Sequence, residues 1–294
     1  VAVLDLANAE VVIDALRAGA SANRTAACRV GSIDRIEAPG RLIATGDIHD
    51  NPLNFGAVVE AAGLGDEPSQ QPAHLTLHEI IHPPTLIGGM DFSYRGLARV
   101  AALKARFPEF VHTLLANHEL AQVIGSGIVK NGVRVVDAFN AGVEYVFGED
   151  ADGVQEAIRD FVFSMPLALR CVCPQGDILC AHSLPAAANM ARFDATILSR
   201  DLTMDDYQPR VGSAHFMVWG RGYDHELLED LTERWGVNLF ILGHEHADSG
   251  YALIEPNALV LNTDHERGVY LPIDLSNKPR LSECPAMVVP VAGR

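Results

Sequence analysis

The stretch Ile43-Ala44-Thr45-Gly46-Asp47-Ile48-His49-Asp50 decides how this sequence is read. An apolar run, the mark of a buried strand, ends in Gly-Asp-x-His and so delivers a carboxylate and an imidazole at the strand's C-terminal end. Side chains alternate along an extended segment, which puts Asp47 and His49 on the same side. That is half of a metal site. A single Asp-x-His triplet is weak, because many are turns that merely follow a strand. The reading depends on whether other strands end the same way.

Four others do. The run 75–77 leads into His78 and Glu79, and 111–116 leads into Asn117, His118 and Glu119. The run 178–181 leads into His182, and 239–242 leads into Gly243-His244-Glu245-His246. In layered α/β proteins ligands bind beyond the carboxyl ends of strands, where loops converge. Each terminator alone reads as a cap or a buried, hydrogen-bonded polar group. Five together point to one site. Asp, Glu, His and a neutral Asn oxygen suit a hard or borderline divalent ion. There are enough donors for two positions, and no cysteine takes part.

The rest of the chain alternates strand and helix. Helices are predicted over 4–18, 55–63, 94–107, 154–164 and 225–235, with helix and loop over 186–206. Strands are predicted over 29–36, 41–46, 74–81, 110–116, 215–219, 238–243, 251–255, 258–262 and 268–273. A hairpin is predicted from 167–173 and 177–181 around Pro174-Gln175-Gly176. Residues 131–152 show no clear period, and short helices are expected there. With no internal repeat and no linker, the pattern predicts an α/β layered architecture with mixed sheets, as a single domain over 1–294.

Composition narrows the function. The 294 residues are 48% hydrophobic and 20% charged, enough for a sizeable core. A net charge of -16 argues against nucleic acid as the main partner, since phosphate backbones call for clustered Lys and Arg. Cys28, Cys171, Cys173, Cys180 and Cys284 form no C-x2-C pair and fall mostly in apolar runs, which reads as buried thiols in a reducing compartment. No apolar run approaches the roughly 18 residues of a membrane span. The start at Val1 lacks the basic region and apolar core of a signal peptide. A cytoplasmic location, with no membrane partner, is the expectation.

The ordered motifs resemble those of the calcineurin-like metallophosphoesterases, and in particular the phosphoprotein phosphatase branch that includes Ser/Thr phosphatases and diadenosine tetraphosphate hydrolases. Gly46-Asp47-Ile48-His49 matches that family's first motif, and Asn117-His118-Glu119, with Ala116 for its Gly, matches the third. Met165-Pro166-Leu167-Ala168 and the later Ala181-His182 look like the hairpin before the fourth motif, with Ser183-Leu184-Pro185 replacing the usual Gly-Gly. His244 to Tyr251 resembles the last motif. The likeness covers roughly 41–275, with the helix and strand of 1–40 packed on it.

The second motif, Gly-Asp-x-x-Asp-Arg-Gly, is absent, and it normally supplies the carboxylate that bridges two metals. Two placements compete. Asp91-Phe92-Ser93-Tyr94-Arg95-Gly96 mimics part of it but follows a Gly-Gly loop. His78-Glu79 stands where the family has Gly-Asp, at the end of a buried strand, and is the favoured placement; His82 then takes the place of the motif's second Asp.

The resemblance implies a β-sandwich of two mixed sheets flanked by helices and two divalent ions, with manganese first among Mn, Fe, Zn and Mg. One ion would take Asp47, His49, the bridging Glu79 and His246; the other would take Glu79, Asn117, His182 and His244. It further implies a metal-bridging hydroxide attacking phosphorus, with His118 as general acid. Arg221, in Trp219-Gly220-Arg221-Gly222, looks like the family's phosphate-binding Arg, and Arg95 is a possible stand-in for the missing Arg. Phosphoproteins, dinucleoside polyphosphates and small phosphate esters all fit as substrates. The other reading is a catalytically weak metal-binding or phosphate-sensing protein with a degenerate second motif.

Overall fold

The computed structural model describes residues 4–130 and 132–291. In chain order, its helices are α1 (Ala9–Thr25), α2 (Pro52–Ala61), α3 (Tyr94–Arg106), α4 (Asn117–Ile124), α5 (Val135–Phe147), α6 (Ala151–Ser164), α7 (Ser213–Trp219) and α8 (His225–Trp235). The strands of the first half are β1 (Arg29–Val30), β2 (Ile33–Glu37), β3 (Arg41–Thr45), β4 (His74–Leu77), β5 (Val111–Thr113), β6 (Val129–Lys130) and β7 (Val133–Arg134). Those of the second half are β8 (Ala168–Val172), β9 (Asp177–Ala181), β10 (Val237–Leu242), β11 (Tyr251–Ile254), β12 (Ala258–Leu261), β13 (Val269–Asp274) and β14 (Val289–Pro290). No helix among the described residues is long and apolar enough to cross a membrane.

Two mixed sheets face each other. One has the order β1-β2-β8-β9-β10-β12-β11, and the other β14-β13-β3-β4-β5. Leu42 and Ala44 of β3, Leu271 of β13, Cys180 of β9 and Ile241 of β10 fill the space between them. The alternate residues Ile43, Leu75, Leu77, Leu179 and Phe240 pack outward under the helices. Strands covered on both faces carry near-continuous apolar runs, which is why 41–45 and 237–242 read so clearly. All five cysteines are free and buried. Burial pushes the Cys28 thiol up to about 12 and Cys173 up to about 11, so neither is a ready nucleophile.

The topology gathers strand ends. β3, β4 and β5 run parallel in one sheet, and β9 and β10 run parallel in the other. The C-terminal ends of these five strands bring the polar terminators to one rim of the sandwich.

Three local expectations change. The segment 215–219 is helical, not a strand: His215 stacks on Trp219 one turn away, with ring centroids 5.6 Å apart. A short apolar run has no period that separates a strand from a buried helical turn. The first helix runs to Thr25 rather than stopping near Gly19. Gly19 lies inside it, where a Cβ would sit 2.7 Å from Ala101 of α3, so this glycine serves close helix packing. The aperiodic stretch holds α5, and 186–206 forms only 3₁₀ turns.

The sheets are also pinned together by charge. Asp34 of β2, fully buried, accepts from His112 Nδ1 of β5 at 2.7 Å and pairs with Arg29 Nε at 3.1 Å. The buried Lys104 Nζ lies 4.0 Å from the same carboxylate and donates to the Pro108 and Val111 carbonyls at 2.6 and 2.8 Å.

Candidate metal centre

At the end of β3 the chain passes Asp47 and turns sharply, with φ of 46° at His49 and 50° at Asp50. After β4 it does the same, at Glu79 (48°) and His82 (63°), and after β10 at His244 (67°). Among the described residues these are five of the six non-glycine positions with positive φ, and Arg210 is the sixth. A left-handed backbone at such residues costs about 1–3 kcal/mol each and persists where the surroundings hold it. Here the loops lace together. His49 N–H donates to the Glu79 carbonyl at 2.8 Å, and Asp50 N–H to that of Ile80 at 2.7 Å. Glu119, in the first turn of α4, accepts from the Ile80 and Ile81 amides at 2.6 and 3.1 Å.

Asp47 and His78 sit side by side on adjacent parallel strands, joined by a single bridge. His78 Nε2 lies 3.0 Å from the Thr45 carbonyl, which can only accept, so that nitrogen carries the proton. His78 Nδ1 therefore presents a lone pair, 3.4 Å from Asp47 Oδ1 and 3.1 Å from His182 Nδ1. His182 Nδ1 is itself 3.5 Å from Asp47 Oδ1. Beside this trio lies a second one. His49 donates from Nδ1 to the Ile81 carbonyl at 3.0 Å, which turns its Nε2 toward Glu79 Oε1 at 3.6 Å. His118 Nε2 is 3.5 Å from the same oxygen. His182 links the two, its Nε2 being 2.7 Å from Asn117 Oδ1, 3.0 Å from His244 Nδ1 and 3.3 Å from Glu79 Oε2.

These spacings fit metal ions. Bonds of about 2.0–2.2 Å to nitrogen and oxygen leave neighbouring ligand atoms roughly 3.0–3.5 Å apart. Within each trio, imidazole nitrogens and carboxylate oxygens converge at these spacings, an arrangement that suits a cation. Both groups, Asp47/His78/His182 and His49/Glu79/His118, have donor atoms close enough to share an ion. Burial works to raise the Asp47 carboxyl, but the surrounding imidazoles of His78, His182 and His49 outweigh it and hold it well below the carboxylate range. Burial keeps His182 well below its ordinary value, and burial plus the Arg221 charge bring His244 down to about 3. Neutral imidazoles and an ionised carboxylate are the forms that bind metal.

The other sequence candidates fall as follows. The His244 amide donates to both Asp47 oxygens at 3.1 Å, and its buried Nε2 has no hydrogen-bond partner. Arg221 is exposed, with one guanidinium nitrogen on the His244 carbonyl at 3.0 Å. The structure does not bring His246 to the cluster. The turn at His244 sends the chain outward, leaving His246 73% exposed with Nε2 on Asp248 at 3.0 Å. Arg95 is also engaged elsewhere, 5.0 Å above the Phe92 ring and 3.4 Å from the Tyr94 hydroxyl. Asp91 takes His82 Nδ1 at 2.7 Å and the Ser93 amide at 2.8 Å, while Glu79 lies among the imidazoles. His78, though visible at a strand end, was not among the ligands drawn from the resemblance, because the family's glycine falls at that position.

Gly243 limits the room. A Cβ there would fall on Asp47 Oδ1 and on the His78 ring at Cε1. Gly243→Ala is therefore expected to reduce bound metal and to destabilise the fold by about 1–3 kcal/mol, as overpacking does. Elemental analysis and thermal melting check this; a variant with wild-type metal content would contradict the packing described.

Neither a protein-family model nor a curated relative matches the sequence. Solved structures do. A protein serine/threonine phosphatase from Saccharomyces cerevisiae, described as similar to human phosphatase PP5, superposes with a TM-score of 0.63 at 13% identity, covering 91% of this chain and 83% of its own. A cold-active protein-tyrosine phosphatase from a psychrophilic Shewanella superposes with a TM-score of 0.54 at 15% identity, covering 82% and 77%. At 13% and 15% identity these likenesses speak to fold alone: the chain shares its architecture with these solved phosphatases.

Proposed function

We propose that this protein is a metal-dependent phosphoesterase of the protein-phosphatase-like kind, acting as one domain on a phosphoprotein, a dinucleoside polyphosphate or a small phosphate ester. The observation that carries the reading is the pair of adjoining, buried donor trios at the converging strand ends. Asp47, His49, Glu79, Asn117, His182 and His244 would hold two divalent ions. Bound ions supply Lewis-acid charge for phosphoryl oxygens and acidify water toward neutral pH. Arg221, held at the rim by the His244 carbonyl at 3.0 Å and with its other terminal nitrogen 3.5 Å from His244 Nδ1, is the guanidinium placed to turn its fork to phosphate oxygens. His118, in the first turn of α4, is the proton donor to the leaving oxygen.

The test uses the full chain, stripped with chelator and reloaded with Mn, Fe(II), Zn or Mg. Turnover of an aryl phosphate that appears only on reloading is the expected result. Two ions bound per chain with no turnover in any metal would favour the sensing role instead. Glu79→Ala should lose an ion, whereas Asp91→Ala should keep both; the opposite pattern would move the bridge to Asp91.

A further inference from the structure

His182 has a neighbour problem. Its Nδ1 faces Asp47 Oδ1 and His78 Nδ1, at 3.5 and 3.1 Å. Its Nε2 faces Asn117 Oδ1, Glu79 Oε2 and His244 Nδ1, at 2.7, 3.3 and 3.0 Å. A neutral imidazole has one N–H and cannot serve both sides. A proton on Nδ1 would leave Nε2 with none to give Asn117 Oδ1 and Glu79 Oε2; a proton on Nε2, the closer contact, leaves three lone-pair atoms converging at the other side: Asp47 Oδ1, His182 Nδ1 and His78 Nδ1. His78 has no freedom to relieve this, because the Thr45 carbonyl fixes its tautomer. Gly243, with no Cβ, leaves the space in which the His78 ring and the Asp47 carboxylate meet.

We propose that His78 is itself a metal ligand through Nδ1, joining Asp47 and His182 in a nitrogen-rich position that selects a borderline ion such as Zn(II), Co(II) or Fe(II) over Mg(II). Two imidazoles and one carboxylate suit such ions, whereas magnesium prefers all-oxygen, octahedral surroundings. The resemblance assigns no ligand at this position. His78 as a donor also moves the metal expectation away from manganese there. The inference rests on the metal-site reading above, but its test does not depend on turnover.

The experiment measures metal affinity and selectivity in stripped full-length protein by competition with a chromophoric chelator. His78→Gly restores the family's residue, and His225→Gln, on the exposed face of α8, controls for loss of a histidine. Expected is at least a tenfold loss of Zn(II) and Co(II) affinity in His78→Gly, a changed Co(II) visible spectrum, little change for Mg(II), and none of these in the control. Affinity within twofold of wild type for all three metals would overturn the proposal. Because the variant could misfold, wild-type protein labelled with 15N-histidine provides a second arm. Zn(II) should shift Nδ1 of imidazoles whose Nε2 stays protonated; coordination through Nε2 alone, or an Nδ1 proton that persists between His78 and His182, would refute it. A His78-dependent zinc site in a protein without phosphoesterase turnover would sink the proposed function and leave this inference standing. Turnover with a zinc affinity indifferent to residue 78 would do the reverse.

Discussion

Replacing His118 with Asn is expected to lower kcat for phenyl phosphate by about 10²–10⁴-fold, the usual contribution of a general acid, with metal content unchanged. His118 follows Asn117 at the start of α4, where successive side chains diverge by about 100°, so the two cannot face the same ion in the same way. The donation argument makes a sharper claim. A good leaving group needs little protonation, so the loss should be much smaller on p-nitrophenyl phosphate than on phenyl phosphate. The competing role is also visible in the geometry, since His118 Nε2 shares the Glu79 Oε1 neighbourhood with His49. Were His118 a ligand, the variant would lose an ion and both substrates would suffer alike. That result would retire it as the acid.

How much of this was legible in the sequence follows from the strands that carry it. Parallel strands buried on both faces leave long apolar runs, so their polar terminators at Asp47, Glu79, Asn117, His182 and His244 stand out. What failed was local and directional. Alternation predicts where side chains point only while the chain stays extended, and φ of 67° at His244 ends that before His246 is reached. The motif skeleton led past His78, although the β3–β4 register that sets it beside Asp47 is the signal that would have found it. The helix at 213–219 was hidden by its length, and the extent of α1 by a glycine that serves packing rather than termination. The pairing of His82 with Asp91 was out of reach: it joins residues across a loop whose path no period reports.

Asp34→Ala is expected to destabilise the protein by about 3–5 kcal/mol, the cost of removing one partner from a buried ionic network. The carboxylate is the acceptor that Arg29, His112 and Lys104 share, and it joins β2 of one sheet to β5 of the other. Without it, Lys104 keeps its two carbonyls but loses its buried counter-charge. β5 leads directly to Asn117 and His118, so weakened docking of that strand should also reduce metal affinity. Asp34→Asn keeps an acceptor for His112 and should cost less. Acid should strain the same region. Burial, then the charge of His112, pushes His74 down from 6.5 to about 4, and burial lowers His112 as well. The unfolded chain takes up these protons near pH 6.5 and the folded chain resists them, so stability present above that pH is lost as it falls toward 4. At about 1.4 kcal/mol per pKa unit, His74 alone accounts for roughly 3 kcal/mol of that loss. Thermal melts of metal-free protein from neutral to mildly acid pH, with and without Asp34→Ala, measure both effects. A variant melting within a degree or two of wild type would mean that the carboxylate does not tie the sheets together. A melting temperature that does not fall with pH would mean that His74 is protonated in the fold as readily as outside it.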